Sequence, residues 1–160
     1  MNNKNLIIEN ARNIFRNFSG AEGKYNREGD RNFAVIIEDP DMVEQLLNDE
    51  WNVKTLKPRD DEEEPAYYLP ITANMSGTTK VCMVTRHNIV RLDEDSISTL
   101  DYADIDNVDL TIRPYDWEVH GKTGRKAYLK TMYVTIVEDD FADKYAYGFD
   151  DGEPLEPFRY

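Results

Sequence analysis

A single cysteine, Cys82, denies the 160-residue chain any internal disulfide and fits a reducing compartment. Histidine is nearly as scarce. His87 and His120 are the only two, too few beside one cysteine for a Cys/His zinc site. The sequence holds no G-x-S-x-G, no H-E-x-x-H and no paired histidines, so the common nucleophile-and-base and zinc-hydrolase arrangements are excluded. The opening MNNKNLIIEN lacks an apolar signal region, and no window approaches a membrane span. These absences predict a cytoplasmic protein that contacts no membrane, uses no cofactor and is not an enzyme.

Acid, by contrast, is plentiful. The formal net charge is −13, which by itself argues against a phosphate-rich partner. The charge is segregated, however. Residues 138–160 carry −6, the run DDEEE at 60–64 carries −5, and 93–109 carry −7, leaving the remainder at +5. The cluster LDEDSISTLDYADIDNVDL does not make a calcium loop of Asp101, Asp104 and Asp106, because the central glycine and terminal glutamate are missing. It reads as a solvated helix face and the turn after it.

Strand signals dominate the chain. NLIIENARNIFRNF (5–18) reads as a strand bent or bulged near Glu9–Ala11, and RNFAVIIED (31–39) as a second strand after a glycine-rich loop. DPDMVEQLLNDE gives a short amphipathic helix, with Asp39 as N-cap, Pro40 in the first turn, and Met42, Val43, Leu46 and Leu47 on one face. WNVKTLKP, AYYLPITANM and KVCMVTRHNIVRL follow as strands, and 93–107 as a second short helix. VDLTIRPYDWEVHGKTGRKAYLKTMYVTIVED is a long hairpin turning at GKTG (121–124). No βαβ alternation is present. The expected fold is α+β, mainly β: an OB-like barrel of five to six strands, with one or two short inserted helices. It occupies 1–140, and 141–160 form an acidic C-terminal tail.

The G-K-T within GKTG is no phosphate loop, since Asp116 stands where G-x-x-x-x-G-K-[ST] needs its first glycine and strands flank it on both sides. The hairpin carries a different pattern. Lys126, Tyr128 and Lys130 share one face of the returning strand, and Arg113, Tyr115 and Trp117 one face of the outgoing strand. Rings interleaved with cations suit single-stranded nucleic acid, whose bases stack on aromatics at about 1–3 kcal/mol each while cations track phosphates. The same rings would serve equally as core, with the lysines solvated. A second basic set, Arg12, Arg16, Lys24, Arg27 and Arg31 interleaved with Phe15, Phe18 and Tyr25, is either a ligand-approaching glycine loop or a salt-bridged surface loop.

The order of these features resembles phage-type single-stranded-DNA-binding proteins with an OB fold. ARNIFRNFSG, a Gly/Lys/Tyr loop, RNFAVIIED and a short helix look like their opening, and GKTGRKAYLKTMYVTI is similar to their last hairpin. The pattern RPY-[DE]-WEV-x-GK-x-G-x-KAYLK resembles a set from phages and mobile elements of Gram-positive bacteria, over residues 5–140. The resemblance implies a non-catalytic protein that coats and protects single strands during replication or recombination in the bacterial cytoplasm. DNA is the implied ligand, and RNA and a homodimer are compatible with it. The residues fitting the implied groove are Arg16, Lys24, Tyr25, Arg27, Arg31, Trp117, Lys122, Arg125, Lys126, Tyr128 and Lys130. The implied tail docks replication or recombination proteins, or competes for the groove, through Asp150, Asp151, Glu153, Glu156 and Phe158, although Arg159 and Tyr160 extend it past the phenylalanine that ends bacterial tails of this kind. Two other readings remain: an acidic DNA mimic that binds a host defence or recombination protein, and a metal-dependent nuclease.

Overall fold

The alternation of β-branched and aromatic residues puts most of the chain into strands. The computed structural model describes residues 4–24, 26–57 and 64–138. The acidic run 60–63 and the tail with Asp150, Asp151, Glu153, Glu156 and Phe158 lie outside the described residues, so the expected boundary at 140 has no structural counterpart. Eight strands form one sheet: β1 (Leu6–Asn17), β2 (Asn32–Ile37), β3 (Lys54–Leu56), β4 (Ala66–Thr72), β5 (Lys80–Val84), β6 (Ile89–Leu92), β7 (Ile105–Val119) and β8 (Lys122–Ile136). Helix α1 (Pro40–Asn48) sits between β2 and β3. The spatial order is β3-β4-β2-β1-β7-β8-β5-β6. One parallel contact, Thr72 with Tyr128, joins β4 back to β8 and folds β1-β2-β4-β8-β7 into a partly closed ring.

Two register slips let long strands follow that ring. In β1 the pairing with β7 shifts between Ile8 and Ala11, and Asn10 adopts φ 55° while its N–H donates to the Asp109 carboxylate at 2.9 Å. The inward row therefore passes from Ile8 to Ala11, as the bend expected at Glu9–Ala11 requires. In β8, Leu129 faces Ile112 and Thr131 faces Thr111, so Lys130 is the extra residue of a bulge. Buried positions switch there from Ala127 and Leu129 to Met132 and Val134. Both inward rows meet in a core where Phe18 and Phe33 pack with ring centroids 5.0 Å apart, surrounded by fully buried Val35, Leu69, Ile71 and Ile112.

The helix at 40–48 forms as its sequence dictates. The Asp39 carboxylate accepts from the Asp41 N–H at 3.0 Å, Pro40 opens the first turn, and Val43 and Leu46 are buried, while Leu47 remains half exposed. Three expectations are corrected. KVCMVTRHNIVRL is a hairpin of two strands, β5 and β6, with the Thr85 N–H donating to the Asn88 carbonyl at 2.9 Å. The second helix shrinks to a five-residue 3₁₀ turn, Ile97–Asp101. Only Ile97 and Leu100 there give it an apolar side. The strand count rises to eight among the described residues, because short β3 and the β5–β6 hairpin flank the five-stranded ring.

Phe33→Ala is expected to cost about 3–5 kcal/mol of stability, read from the midpoint of urea unfolding by circular dichroism. A loss below about 1 kcal/mol would place this ring outside the core.

Candidate nucleic-acid interface

Beyond Ile112, β7 loses β1 as a partner, and β8 meets β4 only at Tyr128. Residues 113–127 therefore stand out from the ring as a two-stranded arm. Its tip is a two-residue turn in which His120 (φ 51°) and Gly121 (φ 77°) are both left-handed, the geometry that suits the twist of a hairpin. Lys122 already pairs with Val119, so the turn falls at the leading edge of the expected GKTG site and shares only Gly121 with it. Lys122 lies exposed beside it.

A short hairpin needs support from a third element, and the segment after α1 provides it. The Arg125 N–H donates to the Glu50 carbonyl at 3.0 Å, and the Thr123 hydroxyl donates to the Glu50 carboxylate at 3.0 Å. The Arg125 guanidinium lies 5.3 Å from the centre of the Trp51 ring and donates to both Asp116 carboxylate oxygens, at 2.7 and 3.2 Å. Arg125 is 1% exposed and Trp51 5%. Arg125, expected in the groove, is thus a clamp inside the fold that a phosphate cannot reach. Its position explains this: it belongs to the same inward row as Ala127 and Leu129. The hydrogen bond and charge of Arg125 hold the Asp116 carboxyl below its ordinary range, against a smaller opposing effect of burial.

The opposite side of the arm holds the aromatic and cationic set. Arg113 pairs with Tyr128, Tyr115 with Lys126 and Trp117 with Gly124, so both rows share one face. Tyr115 and Tyr128 meet edge to face at 5.7 Å. The Arg113 guanidinium and the Lys126 ammonium approach the Tyr128 ring at 5.6 and 5.3 Å. Trp117 lies against Gly124 so closely that a Cβ there would fall 2.5 Å from the ring. Tyr115 stays 53% and Trp117 38% exposed, and Lys130 projects outward at its bulge. The rings are thus available for contact and do not fill the core.

This face continues around the ring. Register places Arg113, Tyr128, Thr72, Asn32 and Asn17 in one outward row across all five ring strands. The next row on the same side is Ile14, Ala34 and Pro70, with Ala34 buried beneath its neighbours, followed by Arg12, Ile36 and Tyr68. Phe15, 59% exposed, meets Tyr68 edge to face at 5.4 Å. Sequence reasoning assigned no role to Tyr68 and left Phe15 out of the site. The available signal was local: buried Leu69 fixes Tyr68 as outward by alternation.

The loop between β1 and β2 is ordered by its own hydrogen bonds. The Gly29 N–H donates to the Gly20 carbonyl at 2.7 Å, and the Asn26 amide reaches the carbonyls of Ala21, Arg27 and Asp30. Lys24 and Arg27 are exposed on it and Arg31 is half-buried at its end, while Tyr25 lies outside the described residues. Arg16 is occupied elsewhere: it donates to the carbonyls of Leu100 and Ala103 at 2.9 and 2.7 Å and ties β1 to the 3₁₀ turn. Among the described residues, no group of three or more His, Cys, Asp or Glu is arranged to hold a metal.

Because Asp116 titrates below its unfolded value of about 3.9, the clamp contributes stability above that pH and loses it as pH falls through the lowered value. Acid is expected to release the arm from Trp51 below about pH 4, seen as a change in tryptophan fluorescence. Asp116→Asn should remove that step and weaken the fold at neutral pH by about 1–3 kcal/mol. An unchanged acid profile in Asp116→Asn would dissociate the step from this pair.

The fold is similar to that of the single-stranded DNA-binding protein from bacteriophage Enc34, with a TM-score of 0.53 at 12% identity over 88% of this chain and 89% of that one. The same phage protein in complex with ssDNA gives a TM-score of 0.56 at 12% identity, covering 86% and 89%. No curated protein matches the sequence. A family model described as "Putative phage ssDNA-binding domain" matches residues 1–150. The chain belongs to the phage ssDNA-binding domain family.

Proposed function

We propose that this protein coats single-stranded DNA without catalysis and with little sequence preference, during phage or mobile-element replication or recombination in the bacterial cytoplasm. The observation that carries the reading is the continuous exposed face on which Tyr115, Trp117 and Tyr128 alternate with Arg113, Lys126 and Lys130. Exposed rings accept any base by stacking, while flexible cations follow phosphates, so neither contact selects a sequence. Phe15 and Tyr68 extend the platform onto the ring.

Counting ring strands only, the order is first, second, third, fifth, fourth, with the third and fifth parallel. We read this as an OB-like ring. In that architecture the second and third strands, with the loops joining first to second and fourth to fifth, face nucleic acid. Those loops correspond here to 18–31, with Lys24, Arg27 and Arg31, and to the arm tip with Lys122. The ssDNA complex of the structurally similar Enc34 protein supports the same ligand class. Segregated charge permits such binding: outside the three acidic segments the chain is net +5. The acidic tail is assigned to docking replication or recombination proteins through its carboxylates and Phe158.

Titration of oligo-dT followed by tryptophan fluorescence should show salt-sensitive binding. Tyr115→Ala and Trp117→Ala are each expected to weaken it by about 1–3 kcal/mol, a factor of roughly 5 to 150. Lys126→Ala should instead flatten the salt dependence by about 0.7 in the logarithmic slope. Absence of binding at low salt, or variants that bind like the parent, would refute the assignment.

A further inference from the structure

The two ends of the sheet differ in kind. β3 closes one end with three residues that begin at Lys54 and are followed by Lys57, a composition that discourages pairing with another chain. β6 closes the other with Ile89 61% and Val90 40% exposed. Among the described residues nothing pairs with its outer edge.

The hairpin end fixes which backbone groups that edge presents. The Thr85 N–H donates to the Asn88 carbonyl at 2.9 Å, so these two form a hydrogen-bonded pair. Alternation from there gives Val90 (opposite Met83) and Leu92 (opposite Val81) to β5. The N–H and C=O groups of Ile89 and Arg91 then point outward. Charge along the segment is also directional, with Arg86 and His87 before the strand and Asp93, Glu94 and Asp95 after it.

We propose that β6 pairs antiparallel with β6 of a second copy of this chain, about a two-fold axis at Val90. Outward groups must meet outward groups, and this register is the one that matches Ile89 with Arg91 of the second copy twice over. It places Val90 against its own equivalent, extending the apolar side that Met83 and Leu92 share with the core. The same register brings the turn that carries Arg86 and His87 beside Asp93 and Glu94, which follow β6 in the second copy, so a directional charge pattern becomes self-complementary. The Asp93 carboxylate already accepts from the N–H groups of Asp95 and Ser96 at 2.9 Å each, which leaves Arg86 and Glu94 as the pair that sets register. Arg86 also meets Glu138 of its own chain at 3.3 Å, with its side chain still 49% exposed. β5 joins β8 at 131–135, beyond the bulge at Lys130, so the pairing leaves the arm open. It does not depend on what the arm binds.

Sedimentation velocity of the full chain, from micromolar to millimolar, should show a concentration-dependent monomer–dimer equilibrium. Val90→Lys should abolish the dimer. Glu94→Arg should weaken it about tenfold, and Arg86→Glu combined with Glu94→Arg should restore it, with circular dichroism confirming that each variant is folded. Should Val90→Lys fail to fold, Glu94→Arg and its rescue decide the matter, since Glu94 is exposed in a turn. A chain that stays monomeric throughout would overturn the proposal. So would a dimer indifferent to Glu94→Arg, or one lost only on removing residues 139–160.

Discussion

The bidentate bond from Arg125 to Asp116, laid over Trp51, is the contact on which the candidate interface depends. Two strands alone make a marginal structure in water, and residues 113–127 have no other sheet neighbour along most of their length. The clamp gives the arm an inner side. A buried guanidinium without a partner would be strongly unfavourable, so Asp116 and the Trp51 ring together make that side possible. Because side chains alternate across a strand, fixing the inner row also fixes the outer one. Tyr115, Trp117, Lys126 and Tyr128 lie on the outer side of the arm because Arg125 and Ala127, with Asp116 held to Arg125, occupy the inner one.

Net charge is a poor guide to such a surface. A −13 chain would be repelled by DNA if its acid were uniform. Its carboxylates are instead concentrated in three stretches, one of which, 93–109, runs through the 3₁₀ turn and the start of β7. The cations on the arm lie further along the same strand pair. What a phosphate meets at the outer face is the local field of Arg113, Lys126 and Lys130, which falls off within about a Debye length. Of the three acidic stretches, 93–109 lies wholly among the described residues, and it runs into the start of β7, away from the arm.

Local patterns were legible where they stood alone. The β7–β8 hairpin, β2, the Asp39 cap and the bend in β1 follow directly from alternation, turn chemistry and capping. Arg125 was misread because its charge was weighed and its parity was not: it shares a row with Ala127 and Leu129. The β5–β6 hairpin was missed because Arg86 and His87 carry no turn signature. The 3₁₀ turn was overextended because acidic residues satisfy a helix start without providing the apolar side that a helix needs. Nothing local could join Phe15 to Tyr68, since their contact is created by β2 lying between β1 and β4 and bringing distant segments together. The continuity of the face was hidden for the same reason, resting on the Thr72–Tyr128 pairing that joins β4 to β8.

The central claim is that nucleic acid lies along the outer face of the arm and ring. Photocrosslinking a bromodeoxyuridine-substituted single strand to the full chain, with the attachment sites mapped by mass spectrometry, tests it most directly. Crosslinks are expected at Tyr115, Trp117 and Tyr128, continuing to Phe15 and Tyr68. Crosslinks confined to α1 or to β5 and β6, with none on the arm, would contradict it.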